Sequence, residues 1–156
     1  DRIVTVSGDA VHEPGNFKVP FGMNQAELIE AAGGYNVDPE KIISGGPMMG
    51  FSMFTVDVPV TKTSSSILCF TKDEVAQYEP TACINCGRCV EVCPSRLIPS
   101  RLADYAEHHD EEAFTKHEGL ECMECGSCSY VCPAKRQLKQ AIGSMRKTAL
   151  ANRKKK

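Results

Sequence analysis

Eight of the nine cysteines fall between Cys83 and Cys132, in two runs of identical spacing: "CINCGRCVEVCP" from Cys83 to Pro94 and "CMECGSCSYVCP" from Cys122 to Pro133. Each run reads C-x2-C-x2-C-x3-C-P. A tetrahedral zinc site draws two close cysteines from each of two knuckles and has no use for a third close thiol. Three close thiolates suit three corners of an iron–sulfur cubane. In this spelling, closed by proline, the fourth cysteine ligates the other cluster of a two-cluster pair. Two copies therefore predict two crossed sets. Cys83, Cys86, Cys89 and Cys132 are expected to hold one [4Fe–4S] cluster, and Cys122, Cys125, Cys128 and Cys93 the second. Each cluster would then staple the two runs together, and much of the folding of this part should depend on metal.

The residues around the thiols suit that chemistry. Gly87 and Gly126 follow the second cysteine of each run, where a chain wrapping a cluster needs positive φ and amides aimed at sulfur. Pro94 and Pro133 are expected to stop the loops and open helices. Ile84, Val90, Val92, Met123, Tyr130 and Val131 are expected to exclude water and so help set the potential. A disulfide scaffold would scatter its cysteines along the chain, whereas this clustering favours metal ligation in a reducing compartment. The ninth, Cys69, lies in the apolar run "SILCFT" and reads as a small buried hydrophobe.

Two different modules must position these residues. "RIVTVSG" alternates as a strand, and a second strand is expected near Phe17–Val19. "NQAELIEAAGG" is a marked helix, with Asn24 as N-cap, Glu27 in capping-box position and Gly33-Gly34 closing it. Leu28, Ile29 and Ala32 supply its apolar face. "KIISGGPMMGFSM" reads as a strand, a glycine turn with Met48, Met49 and Phe51 packed nearby, and a return. Ser66–Thr71 forms a last strand. Residues 1–74 thus predict a small β-grasp-like α+β domain. "KDEVAQYEP" reads as a short helix ended by Pro80, and residues 75–156 predict a mostly helical domain. There, "SRLADYAEHHDEEAFTKH" carries Leu102, Tyr105, Ala106, Ala113 and Phe114 at helical spacing. "AKRQLKQAIGSMRKTALA" carries Leu138, Ile142 and Met145, with Gly143 as a weak spot. The fold class is α+β.

Totals exclude other classes. The 156 residues fit one medium domain or two small ones, and no apolar run approaches the ~18 residues of a membrane span. No signal peptide is visible, and the opening at Asp1 reads as an excised or processed piece. Charge is unevenly placed: nine basic residues face twenty acidic ones before Pro133, and nine basic residues follow with no acidic one. A basic end suits a helix dipole, an anionic lipid surface or an acidic partner. Nucleic acid is not expected, because aromatic interleaving is absent. His108 and His109 read as a solvated face, and His12 and His117 give no constellation. No catalytic residue can be argued.

Combined with the two cysteine runs, the phrases "SGDAVHEPGNFKVPFG", "IISGGPMMGF" and "DVPVTKTSS" resemble the C subunit of the Rnf complex over nearly the whole chain. The resemblance implies an SLBB β-grasp domain followed by a two-cluster domain. The helical spacer of the latter resembles the α-helical ferredoxin of succinate dehydrogenase iron–sulfur subunits. It further implies electron exchange between ferredoxin and NAD coupled to Na⁺ or H⁺ movement, at the cytoplasmic side of the bacterial inner membrane. Expected partners are the other Rnf subunits and ferredoxin. FMN and NAD(H) are expected only in the family's upstream region, because "SGGPMMG" lacks the G-x-G-x-x-G fingerprint and no other dinucleotide motif is present. The fragment itself is then an electron conduit without a catalytic site. The nearest alternative of the same domain order is the cobalamin reductase of propanediol-utilising microcompartments. An alternative of another class is a non-redox SLBB binding module with zinc-bound cysteines.

Overall fold

A computed structural model describes residues 1–154, so Lys155 and Lys156 of the basic tail lie outside the described residues. The chain forms two compact units, Asp1–Gln77 and Tyr78–Lys156.

The first unit is a five-stranded mixed sheet with one helix. Strands β1 (Arg2–Ser7), β2 (Gly15–Val19), β3 (Lys41–Ser44), β4 (Phe51–Met53) and β5 (Ser66–Phe70) lie in the order β2-β1-β5-β3-β4. β1 and β5 run parallel in the middle, and the other neighbours are antiparallel. Alternation along β1 sends Val4 and Val6 inward, and β5 does the same with Ile67 and Cys69. Helix α1 (Gln25–Ala31) presses Leu28 and Ile29 into that core. Asn24 caps it by accepting from the Ala26 amide, and Gly34 closes it by donating to Ile29 at 3.0 Å. The glycine turn between β3 and β4 forms as expected, with Gly50 donating to Gly46 at 2.8 Å. Its side chains differ from expectation: Met48, Met49 and Phe51 are exposed, because β4 is an edge strand three residues long. The expected short helix after β5 is a single 3₁₀ turn, Glu74–Gln77.

Gly8 is the most constrained position of this unit. It holds φ +119°, and a Cβ there would stand 1.9 Å from the Cys69 carbonyl oxygen. The turn after β1 therefore lies directly on the β5 backbone, where Ala10 donates to the same carbonyl. Gly8→Ala is expected to destabilise the unit by on the order of 3 kcal/mol. Urea unfolding of the intact chain measures this, with an unchanged iron content as the control.

The second unit is helical. Two short helices, α2 (Arg88–Glu91) and α5 (Ser127–Tyr130), sit inside the cysteine runs. Helices α3 (Pro99–Glu107), α4 (Glu111–Lys116) and α6 (Leu138–Arg153) build the core with Leu102, Ala103, Phe114, Leu138, Ile142 and Met145. The stretch read as one helical run is broken: His109 takes φ 57°, and Asp110 starts α4 afresh by accepting from Ala113 at 2.9 Å. Pro94 and Pro133 open turns rather than helices; α3 opens at Pro99, and α6 after Gln137. Gly143 is no weak spot. It is buried in α6, where a Cβ would meet the Glu124 carboxylate at 2.8 Å. Its missing side chain lets α6 lie against the second cysteine run. The basic C-terminal stretch is helix as far as Arg153.

Candidate metal centre

The two runs repeat in backbone as well as in spelling. Gly87 (φ 76°) and Gly126 (φ 83°) turn the chain into α2 and α5. Asn85 and Glu124 take φ 53° and 55°, and Arg96 and Lys135 take 55° and 54°. Left-handed φ is uncommon for such residues, and here it recurs at equivalent places. After each fourth cysteine the same turn closes, with Arg96 donating to the Cys93 carbonyl at 3.0 Å and Lys135 to that of Cys132 at 3.1 Å.

The thiols line two separate cavities. Cys83, Cys86 and Cys89 share a cavity of about 120 Å³ with Cys132. Cys122, Cys125 and Cys128 share another, of about 20 Å³, with Cys93. Each cavity thus takes three cysteines from one run and the last cysteine from the other. All nine cysteines are free thiols. Among the described residues, no group of three or more His, Cys, Asp or Glu side chains is gathered closely enough for one metal ion. Four thiols around each cavity match the four corners of a cubane. The second space is nearly closed, so its thiols must move outward to admit one.

Backbone amides already point at sulfur. Leu97 donates to Cys93 Sγ and Glu124 to Cys122 Sγ, each at 3.4 Å. Burial pushes the Cys128 thiol up to about 11 and also raises Cys122, where the Glu124 amide works the other way. These groups stay protonated at neutral pH without metal, so ligation must release protons.

The residues expected to exclude water do not all do so. Ile84 is 65% exposed and Tyr130 79%, and Val90, Val92 and Met123 are exposed as well. Buried helix residues wall the cavities instead. Leu138 lines the first and Ile142 the second, four residues apart on one face of α6. Leu97 and Leu102 add to the second. Periodicity marked Leu102, Leu138 and Ile142 as core without linking them to the cysteines.

Arg136 carried no signal in the sequence. It lines the first cavity, its side chain 11% exposed, and donates to Asp104 at 2.8 Å and to Glu107 at 3.0 Å. Burial works against its charge, but the two carboxylates outweigh that and raise its pKa. Arg146 plays a comparable part behind the second run, donating to the Leu120 carbonyl and to Glu124.

Comparison with known proteins gives two domain matches, an SLBB domain over residues 3–52 and a 4Fe-4S dicluster domain over residues 82–136. The chain is 42% identical to the C subunit of the Na⁺-translocating ferredoxin:NAD⁺ oxidoreductase complex of Acetobacterium woodii, over 99% of this chain and 35% of that protein. It is 46% identical to the C subunit of the proton-translocating ferredoxin:NAD⁺ oxidoreductase complex of Clostridium ljungdahlii, over 65% of this chain and 22% of that one. It is 40% identical to the C subunit of the ion-translocating oxidoreductase complex of Yersinia enterocolitica, over 75% and 17%. The chain spans about a third or less of the length of these curated relatives.

Proposed function

As a relative of the C subunits of ion-translocating oxidoreductase complexes, built of an SLBB domain followed by a 4Fe-4S dicluster domain, the chain is, we propose, the iron–sulfur relay of such a complex. The crossed sharing of the two cavities by Cys83, Cys86, Cys89, Cys132 and by Cys122, Cys125, Cys128, Cys93 carries the reading. When bound, [4Fe–4S] clusters supply one-electron storage with no bond-making. The chain's own residues hold and tune. Eight thiolates ligate, and the Leu97 and Glu124 amides donate to sulfur and so stabilise its negative charge. Leu97, Leu102 and Ile142 keep water from the second site, while Cys83 and Cys86 leave the first open to solvent.

FMN and NAD(H) belong, in this reading, to the part of the relatives' length that the chain does not span. The partners are the other subunits of the complex, with ferredoxin as a further candidate. Among the described residues no helix is long and apolar enough to cross a membrane. We place the chain peripherally, at the cytoplasmic face of the cell membrane, with the basic C-terminal stretch toward anionic lipid or an acidic neighbour. The relatives favour this over corrinoid reduction or a zinc-bearing binding module. Metal and sulfide analysis of anaerobically prepared protein tests it. About eight irons and eight sulfides per chain are expected; zinc in their place, or no metal, would overturn the relay.

A further inference from the structure

Leu97 and Arg136 hold the same place in the repeat, each four residues after the last cysteine of its run. Each also lines the cavity of that cysteine: Leu97 with Cys93 in the second, Arg136 with Cys132 in the first. The repeat thus puts an apolar side chain at one centre and a guanidinium at the other. Among the described residues, Arg136 is the one charged group in the lining of the first cavity. The second is lined by Glu124 and Lys139, of opposite sign, and Arg146 donates to Glu124 from outside the lining. Asp104 and Glu107 hold Arg136 without lining the first cysteine cavity. They line a wider cavity of about 650 Å³, which Arg136 and Cys83 also line. Their side chains are 53% and 51% exposed, against 11% for Arg136, so water screens the carboxylates more than the guanidinium. Access of water differs between the centres as well. Cys83 and Cys86 are exposed, whereas buried Leu97, Leu102 and Ile142 wall the second cavity.

We propose that Arg136 holds the cluster of Cys83, Cys86, Cys89 and Cys132 at the higher of the two reduction potentials. The inference rests on the relay reading above and gives its two centres an order. Reduction adds one negative charge to a site already ringed by four thiolates. A guanidinium fixed in the wall and water at the mouth both stabilise that charge, and so both raise the potential. The second site has less of either. Its apolar walls disfavour added charge, and the two charges in its lining oppose each other. An electron shared by the pair therefore rests at the first site. Asp104 and Glu107 are positioning residues in this arrangement: they keep the guanidinium at the cysteine wall, at the cost of part of its effect.

The test is an anaerobic redox titration of the full chain loaded with its clusters, read by electron paramagnetic resonance. The parent should show two reduction steps. Arg136→Gln is expected to lower the reduced-to-oxidised ratio of the upper step about tenfold at a fixed potential, a shift of about 59 mV to the negative for one electron. The lower step should stay in place. Arg136→Lys keeps the charge and should keep most of the parent potential. Asp104→Asn/Glu107→Gln keeps the guanidinium and removes its carboxylates, so it should move the upper step to the positive. That variant decides the matter if Arg136→Gln takes up less iron than the parent. Lys147→Gln, exposed on α6, should move neither step. The order is overturned by a loaded Arg136→Gln whose upper step stays put, or by a shift of the lower step instead. It is equally overturned if Arg136→Lys or Lys147→Gln falls as far as Arg136→Gln, if Asp104→Asn/Glu107→Gln leaves the upper step unmoved, or if the two parent clusters titrate together. Each of these results, in an iron-loaded chain, leaves the relay standing. Absence of iron from the parent chain would overturn the relay itself, and the order with it.

Discussion

Cys132→Ala is expected to remove one cluster, and the one lost is that of Cys83, Cys86 and Cys89. Iron should fall from about eight to about four per chain. The reason is the lining of the cavities: Cys132 shares a space with the first run, although it is written in the second. Pairs of substitutions make the test specific. Cys83→Ala/Cys132→Ala should lose no more iron than either change alone, because both strike one site. Cys122→Ala/Cys132→Ala should lose nearly all of it. If the ligands were not crossed, these two results would trade places. Iron and sulfide analysis, with electron paramagnetic resonance to count the surviving cluster, reads the outcome directly. Cys93→Ala should mirror the result, sparing the first site and emptying the second.

The second large effect is on folding. Chelation of the metal under reducing conditions is expected to unfold most of Tyr78–Lys156 and to leave Asp1–Gln77 intact. The first unit has a closed core of its own, with Val4, Val6, Leu28 and Ile67 buried. The second is small, and part of its core is the cysteines themselves, since Cys89, Cys93, Cys122, Cys128 and Cys132 pack with its apolar side chains. A unit of this size draws roughly 3–5 kcal/mol from an ordinary core. Without metal, the loops holding Asn85, Arg96, Glu124 and Lys135 at left-handed φ have nothing to pull them there. Calorimetry should show two transitions in the loaded chain and one in the stripped chain. A stripped chain that keeps both transitions near their original temperatures would contradict this.

Some of this arrangement is legible in the sequence. The strands β1, β2, β3, β4 and β5 announce themselves by alternation and turn residues, and α1 by Asn24 and Gly33-Gly34. Cys69 behaves as the small core residue its neighbours suggest. What stays hidden depends on neighbours distant in sequence. The apolar spacing from Leu102 to Phe114 continues across the break at His109 because both helices serve one core, so periodicity alone joins them. Asp110 is the available stop-and-start signal. A glycine inside a helix shows only its propensity penalty in a sequence; that Gly143 makes room for Glu124 is visible only when α6 meets the second run. Ile84 and Tyr130 look like core residues because hydrophobicity records a preference for burial, not whether a neighbour arrives to satisfy it. Arg136 is one basic residue among nine in the C-terminal stretch, and its two carboxylates stand on α3.

The turn at His108–Asp110 is exposed and joins the half of the unit that carries the first run to the half that carries the second. With both clusters bound, a chain cut there would still be one particle. Each fragment would hold three sulfurs of one cube and a single sulfur of the other, so neither piece could leave without breaking both. Peptide continuity across the middle of the unit becomes redundant once iron is in place. A backbone scission at this turn would stay silent until the metal is removed, and only then would the two pieces separate.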